Sequence, residues 1–310
     1  MKKTVPAARP DEGQRLRGPL YLAAGALLWG TAGVASKAAP GIEPLSAISI
    51  AFYRLLFCLP LLLLFGWMRY GSLLLQVQRA HRLSILLLAL TAGLYQIFYF
   101  AAVREAGVTL ATLVSLGGAP FLVALLAAVF LKERPHPALL GALLLAVPGA
   151  LLLVGLPGEV AGYSNSIMGV FLAVCAAFSY AAFALLSRKI ASFYNPVQLV
   201  LLAFGGAALL ILPLALFDGL SVPGKPEAWA LLMYIGLLPT AAAYLFFFSG
   251  MKHATATLAG LLTVLEPLAA AILAWLLFGE RLGPAGMLGA ALILAALVIS
   301  SLGRDRSRTA

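Results

Sequence analysis

Charge is scarce in this sequence. Asp, Glu, Lys and Arg make up 10% of its 310 residues, hydrophobic residues make up 63%, and the mean hydropathy is +1.02. A soluble domain of that length has more polar surface to supply than such a composition holds. Cysteine is nearly missing. Cys58 and Cys175 both lie in apolar runs, where a small buried hydrophobe is the ordinary role. Two such residues make no disulfide framework and no CxxC centre. The histidines, His81, His136 and His253, form no ligand cluster in sequence, so no metal is expected. Acids are few, and Glu266 is the one set deep in an apolar run. Intramembrane hydrolysis needs a dyad of acids, a Ser-His pair or a motif such as HExxH, and these are lacking, so the chain is not expected to be an enzyme. Glycine-bearing stretches such as "SLGGAP" and "FGGAAL" follow no strand and lead to no GK[ST], which excludes a phosphate cradle. No period-two alternation points to a barrel.

What is present is a succession of apolar runs, each of about 18 residues or more and so long enough to cross a hydrocarbon core. Backbone groups in lipid must bond within their own segment, which makes these runs helices. We expect ten spans: 19–38, 45–66, 83–103, 108–131, 138–156, 167–187, 196–217, 228–250, 254–278 and 284–302. The formal net charge of +10 is unevenly placed. Lys2, Lys3, Arg9, Arg15, Arg17, Arg69, Arg79, Arg82, Lys132, Arg134, Arg188, Lys189, Lys252, Arg304, Arg306 and Arg308 fall on one side of the expected topology. Lys37, Arg104, Lys225 and Arg281 fall on the other, and Arg54 lies within a span. The positive-inside rule then puts both termini in the cytoplasm. The basic balance reflects topology and gives no reason to expect a nucleic-acid partner.

The chain repeats itself. "APFLVALLAAVFLKERPHPALLGALLLAVPGALLL", from Ala119, answers "EPLAAAILAWLLFGERLGPAGMLGAALILAALVI", from Glu266. Pro120 matches Pro267, Glu133 matches Glu280, Arg134 matches Arg281 and Pro137 matches Pro284; earlier in each copy Lys37 matches Lys189 and Pro44 matches Pro196. The expected architecture is an all-α integral membrane protein. It divides into a cytoplasmic tail (1–18), a first five-helix repeat (19–157), a second (158–303) and a short tail (304–310). An odd helix number makes the second repeat enter the membrane inverted, an arrangement common in secondary carriers.

The proline-bearing helix, apolar stretch, "KER" or "GER", turn and glycine-bearing helix resemble the EamA repeat of the drug/metabolite transporter superfamily. The resemblance covers residues 19–302 in two copies. It implies ten helices, export of small metabolites and no cofactor. The chain is also similar to the YddG-type bacterial exporters of aromatic amino acids, and that resemblance alone suggests such a cargo.

Glu266 lies about half-way along its span, near mid-depth at about 1.5 Å per residue. A charge there costs roughly 2.5–3.5 kcal/mol on insertion scales, so it should face the bundle interior or water. It is either a substrate or proton site, or one member of an internal ion pair with Arg54. Pro267 removes its own amide donor and crowds the Thr263 carbonyl, so it should kink its helix, and Pro120 should do the same at Leu116. Trp29, Tyr95, Gln96, Tyr99, Tyr180 and Tyr244 are the deep aromatic and polar candidates for a chamber that takes a flat organic solute. Ser115 adds a hydroxyl, or serves helix packing. A pore would need a continuous file of polar groups, and these are scattered. The expected function is a secondary transporter in the bacterial inner membrane that exports small amphipathic metabolites, aromatic amino acids first, by alternating access. Its partners are that solute and the lipid bilayer. Other amino acids, organic cations and proton coupling stay open.

Overall fold

The computed structural model describes residues 12–38, 45–154 and 166–306. The two ends of the chain, with Lys2 and Lys3, and the repeat-matched Pro44 lie outside the described residues. Every regular element among those described is helical: α1 (Glu12–Ala38), α2 (Ala47–Tyr70), α3 (Arg82–Phe130), α4 (Pro137–Val154), α5 (Ile167–Ile190) and α6 (Pro196–Phe217), followed by α7 (Pro226–Gly236), α8 (Ala243–Met251), α9 (Ala256–Leu262), α10 (Leu265–Phe278) and α11 (Pro284–Arg306). Polar side chains start several of them. Ser46, Ser166, Asn195 and Thr255 each accept the N–H three residues on, satisfying one of the donors a helix start leaves open.

Two breaks matter. The expected spans 83–103 and 108–131 match two apolar stretches, Arg79–Gly107 and Leu110–Phe130, which meet within α3 at a kink where Gly107 leaves helical geometry (φ 83°, ψ 162°). That positive φ suits glycine because it has no Cβ to clash. Between α7 and α8, residues Leu237–Ala242 form a π-helical stretch that the sequence reading missed.

Nine stretches among the described residues, from Ile48–Leu75 to Pro284–Leu302, are long and apolar enough to cross a membrane. α1, the remaining expected span, is 27 residues long but falls outside those nine. Its first turns carry charge, and glycines dilute the rest. It packs inside the bundle nonetheless, against α8 and α10. Large apolar side chains face outward, with Phe217 96% and both Leu209 and Phe130 71% exposed. Water would not tolerate so much exposed apolar surface, whereas lipid requires it. This is a multi-pass membrane protein.

The halves interleave. α3 packs on α5, α4 on α11, α2 on α6, and α1 on α8 and α10, so the principal contacts join the first half to the second. Close approaches depend on missing side chains. A Cβ on Gly30 would lie 2.6 Å from the Glu266 carbonyl oxygen, and one on Gly289 would lie 2.6 Å from that of Gly149. Small residues bring α1 onto α10 and α4 onto α11.

Candidate functional site

A cavity of about 570 Å³ runs from the middle of the bundle to the end where α10 meets α11. Its mouth holds the exposed residues Phe278, Glu280, Arg281 and Leu282. Its inner wall holds Trp29, Arg54, Tyr95, Gln96, Tyr99 and Glu266. A recess of about 60 Å³ shares Trp29, Arg54, Tyr95 and Glu266 with it and adds Tyr180 and Tyr244. Seven of the eight residues expected to contact substrate therefore line one connected space.

Glu266 is placed by a helix interruption. α9 ends at Leu262, α10 begins at Leu265, and Thr263 and Val264 form the turn between them. In a continuous helix the Thr263 carbonyl would accept from residue 267, but Pro267 has no N–H. The Glu266 N–H takes it instead, at 3.0 Å. The Thr263 hydroxyl turns back to the Gly260 carbonyl at 2.7 Å. Pro267 thus occupies the first turn of α10, where its missing donor goes unneeded. Pro120 behaves differently. The helix runs on through it, and the departure from helical geometry in α3 is at Gly107.

Arg54 is placed by the π-helical stretch. Pro239 leaves the Ile235 carbonyl without its usual amide partner, and the Thr240 hydroxyl supplies the bond at 2.8 Å. Thr240 is fully buried, and its oxygen also accepts from Arg54 Nε at 2.8 Å. Neither Pro239 nor Thr240 was singled out from sequence. The cue was the proline inside the expected span 228–250. Arg54 and Glu266, one expected alternative being an ion pair, face the same cavity without such a contact.

The aromatic wall consists of two groups of rings. Tyr95 stacks on Tyr99 with ring centroids 5.9 Å apart and meets Tyr180 at 5.7 Å. Trp29 meets Tyr244 at 5.0 Å, and Tyr244 meets Phe204 edge-on at 4.5 Å. Tyr99 shares a hydrogen bond of 2.9 Å with Thr112, a cavity residue the sequence did not single out. Among the described residues, two side-chain polar atoms are buried without a partner: Trp29 Nε1 and the Tyr180 hydroxyl. Ser115 is not brought to the cavity. It is fully buried, and its hydroxyl bonds the Ala111 carbonyl of its own helix, the common fate of a mid-helix serine.

At the other end, hydrogen bonds tie neighbouring segments together. Glu133 accepts from the Ala256 and Thr257 amides at 2.8 and 3.2 Å and from the Thr257 hydroxyl at 2.8 Å, so the first half holds the start of α9 in the second. Arg188 donates to the Met251 carbonyl at 2.8 Å, and Gln198 to those of Leu73 and Gln76 at 3.2 and 2.8 Å. Burial there lowers the pKa of Lys252. His136 and His253 come together at a separate cavity of about 330 Å³, although no group of three or more metal-ligating side chains occurs among the described residues.

The chain is 30% identical over 291 residues to the uncharacterized transporter YwfM of Bacillus subtilis, covering 94% of this chain and 96% of that one. It is 26% identical over 304 residues to the uncharacterized inner membrane transporter YicL of Salmonella typhimurium, covering 96% and 100%. It is 28% identical over 258 residues to the pseudopaline exporter CntI of Pseudomonas aeruginosa, covering 83% and 87%. A solved crystal structure superposes with a TM-score of 0.78 at 21% identity, over 94% of this chain and 99% of the other, and so shares the fold. The profile of the EamA-like transporter family matches twice, at residues 16–155 and 167–302. The chain belongs to the EamA-like transporter family and is a membrane transporter.

Proposed function

We propose that this transporter exports small amphipathic metabolites, aromatic amino acids first, across the bacterial inner membrane by alternating access. The observation that carries this reading is the connected cavity, whose aromatic walls end at the Glu266 carboxylate near mid-depth. Flat rings stack on such walls, and a carboxylate held there receives an ammonium group. The rocking units are the repeats 19–157 and 158–303, with both tails cytoplasmic, so the tied end faces the cytoplasm and the cavity mouth faces outward. The reciprocal packing of the halves and the double family match support two related units. The exporter named among the relatives supports the direction.

Counterflow tests the proposal. Liposomes containing the purified protein are loaded with unlabelled phenylalanine and given labelled phenylalanine outside. Uptake that requires preloading is expected. Its absence in correctly inserted protein would remove the aromatic amino acids and turn the search to other amino acids and amines.

A further inference from the structure

We propose that Arg54 and Glu266 together form a clamp for a zwitterion, Arg54 taking the substrate carboxylate and Glu266 its ammonium group. The inference deepens the transport reading above and rests on it. It narrows the cargo to molecules that carry both charges on neighbouring atoms, the α-amino acids, and sets organic cations aside.

Opposite charges buried in a membrane protein ordinarily close on each other, because each is costly to leave unneutralised. Here each is held back by its own backbone feature. Thr240, seated by the π-helical turn at Pro239, tethers Arg54 through Nε. The interruption at Thr263 and Val264 sets Glu266 in the first turn of α10. Tethering through Nε leaves the terminal nitrogens of Arg54 for the cavity, and these make the planar fork that suits a carboxylate. Neither those nitrogens nor the Glu266 carboxylate has a hydrogen-bond partner among the described residues, and both side chains line the cavity and its recess.

A second observation marks the same place as built for a polar guest. Trp29 and Tyr180 are 8% and 6% exposed, and each keeps a buried polar atom without a protein partner there. Buried polar groups are rarely left unsatisfied without a functional reason. Trp29 and Tyr180 stand with Arg54 and Glu266 around the recess, so a small head bearing several donors and acceptors would meet all four. An amine without a carboxylate would leave the guanidinium unneutralised next to its own positive charge, and that repulsion is the selectivity device.

Three probes with the same ring separate the charges: phenylalanine, phenethylamine and 3-phenylpropionate. Each is titrated calorimetrically into the purified protein in lipid nanodiscs. The intact protein should bind phenylalanine at least about tenfold more tightly than either single-charge analogue, a difference typical of one well-made charged contact. Arg54→Gln should erase the preference over phenethylamine, and Glu266→Gln the preference over 3-phenylpropionate. Thr240→Val, which keeps the arginine and drops its tether, should weaken phenylalanine severalfold while sparing phenethylamine, and it serves should Arg54→Gln fail to fold. Equal binding of phenethylamine and phenylalanine by the intact protein, or equal losses of both in Arg54→Gln and Thr240→Val, would overturn the clamp and leave the transport reading standing. If leucine or threonine binds with this Arg54 dependence and phenylalanine does not, the clamp holds and the aromatic cargo falls. If no amino acid binds the folded protein, both fall.

Discussion

In the first half of the chain, the helix that holds Pro120 continues through it to Phe130; in the second, the matching segment stops at Leu262 and resumes at Leu265. Both carry the matched proline, so proline alone does not decide the outcome. The neighbours do. Around Pro120 the sequence is "LGGAP", with no side chain able to compete for a helix carbonyl. Around Pro267 it is "TVLEP", where the Thr263 hydroxyl bonds back to Gly260 and the Glu266 amide takes the Thr263 carbonyl. The unbroken copy has the small, buried Ala119 where the broken copy has Glu266. Both positions line the recess, so the two repeats give it an apolar wall from one side and a charged wall from the other.

Making the broken helix resemble the unbroken one should have the largest effect. Glu266→Ala gives the second half the residue of the first and should cut phenylalanine counterflow about a hundredfold, the scale of a lost buried charged contact. Stability should hold or rise, because a mid-membrane carboxylate costs roughly 2.5–3.5 kcal/mol by insertion scales. Melting in detergent checks this. A marked fall in melting temperature would make Glu266 a structural residue.

The two prolines should separate next. Pro267→Ala supplies an amide at the helical position, which competes with the Glu266 N–H for the Thr263 carbonyl, favours a continuous helix and swings Glu266 from its place; transport should fall about tenfold, in proportion to about 1.4 kcal/mol. Pro120→Ala adds one backbone bond to a helix already continuous. It should stabilise by about 1 kcal/mol and change transport less than about twofold. Equal losses in the two variants would mean that the prolines act alike despite their different surroundings.

Glu133 tests the comparison from outside the helices themselves. Its carboxylate, at the end of the first half, holds the two leading amides of α9, the short arm of the broken helix. Bonds to a charged acceptor contribute about 1.5–3 kcal/mol, so Glu133→Gln should lower the melting temperature measurably. Transport should change only severalfold, since Glu133 lies at the tied end, away from the Arg54–Glu266 wall. Loss as deep as that of Glu266→Ala would put this end on a par with the central site.

Much of the site was legible because it follows from periodicity and depth. Apart from the start of α1, the span limits fall within a few residues of helix ends or of the kink at Gly107, and Glu266, Arg54, Trp29 and the tyrosines that depth in apolar runs singled out line the cavity and its recess. What stayed hidden depends on partners distant in sequence or on local competition for carbonyls. No spacing shows that Thr240 would hold Arg54, or that Glu133 would reach α9. Ser115 stood open between a cavity hydroxyl and helix packing, and only the fold shows its hydroxyl spent on Ala111. The matched prolines in the same way said nothing about which neighbours compete for the carbonyls.

The comparison of two buried hydroxyls is the most diagnostic. The Tyr180 hydroxyl is buried with no protein partner, while that of Tyr99 bonds Thr112 at 2.9 Å. Leaving a polar group buried and unsatisfied costs about 1–3 kcal/mol, so Tyr180→Phe should raise the melting temperature. Tyr99→Phe strands the Thr112 hydroxyl and should lower it. A structural role alone would make Tyr180→Phe harmless to transport. A hydroxyl kept for the cargo predicts weaker binding, by about threefold to tenfold, in a protein that is more stable. Stability and affinity moving in opposite directions would show that the orphan hydroxyl serves the ligand. If both rise or binding stays constant, the recess is packing, and recognition ends at the charged wall of the main cavity.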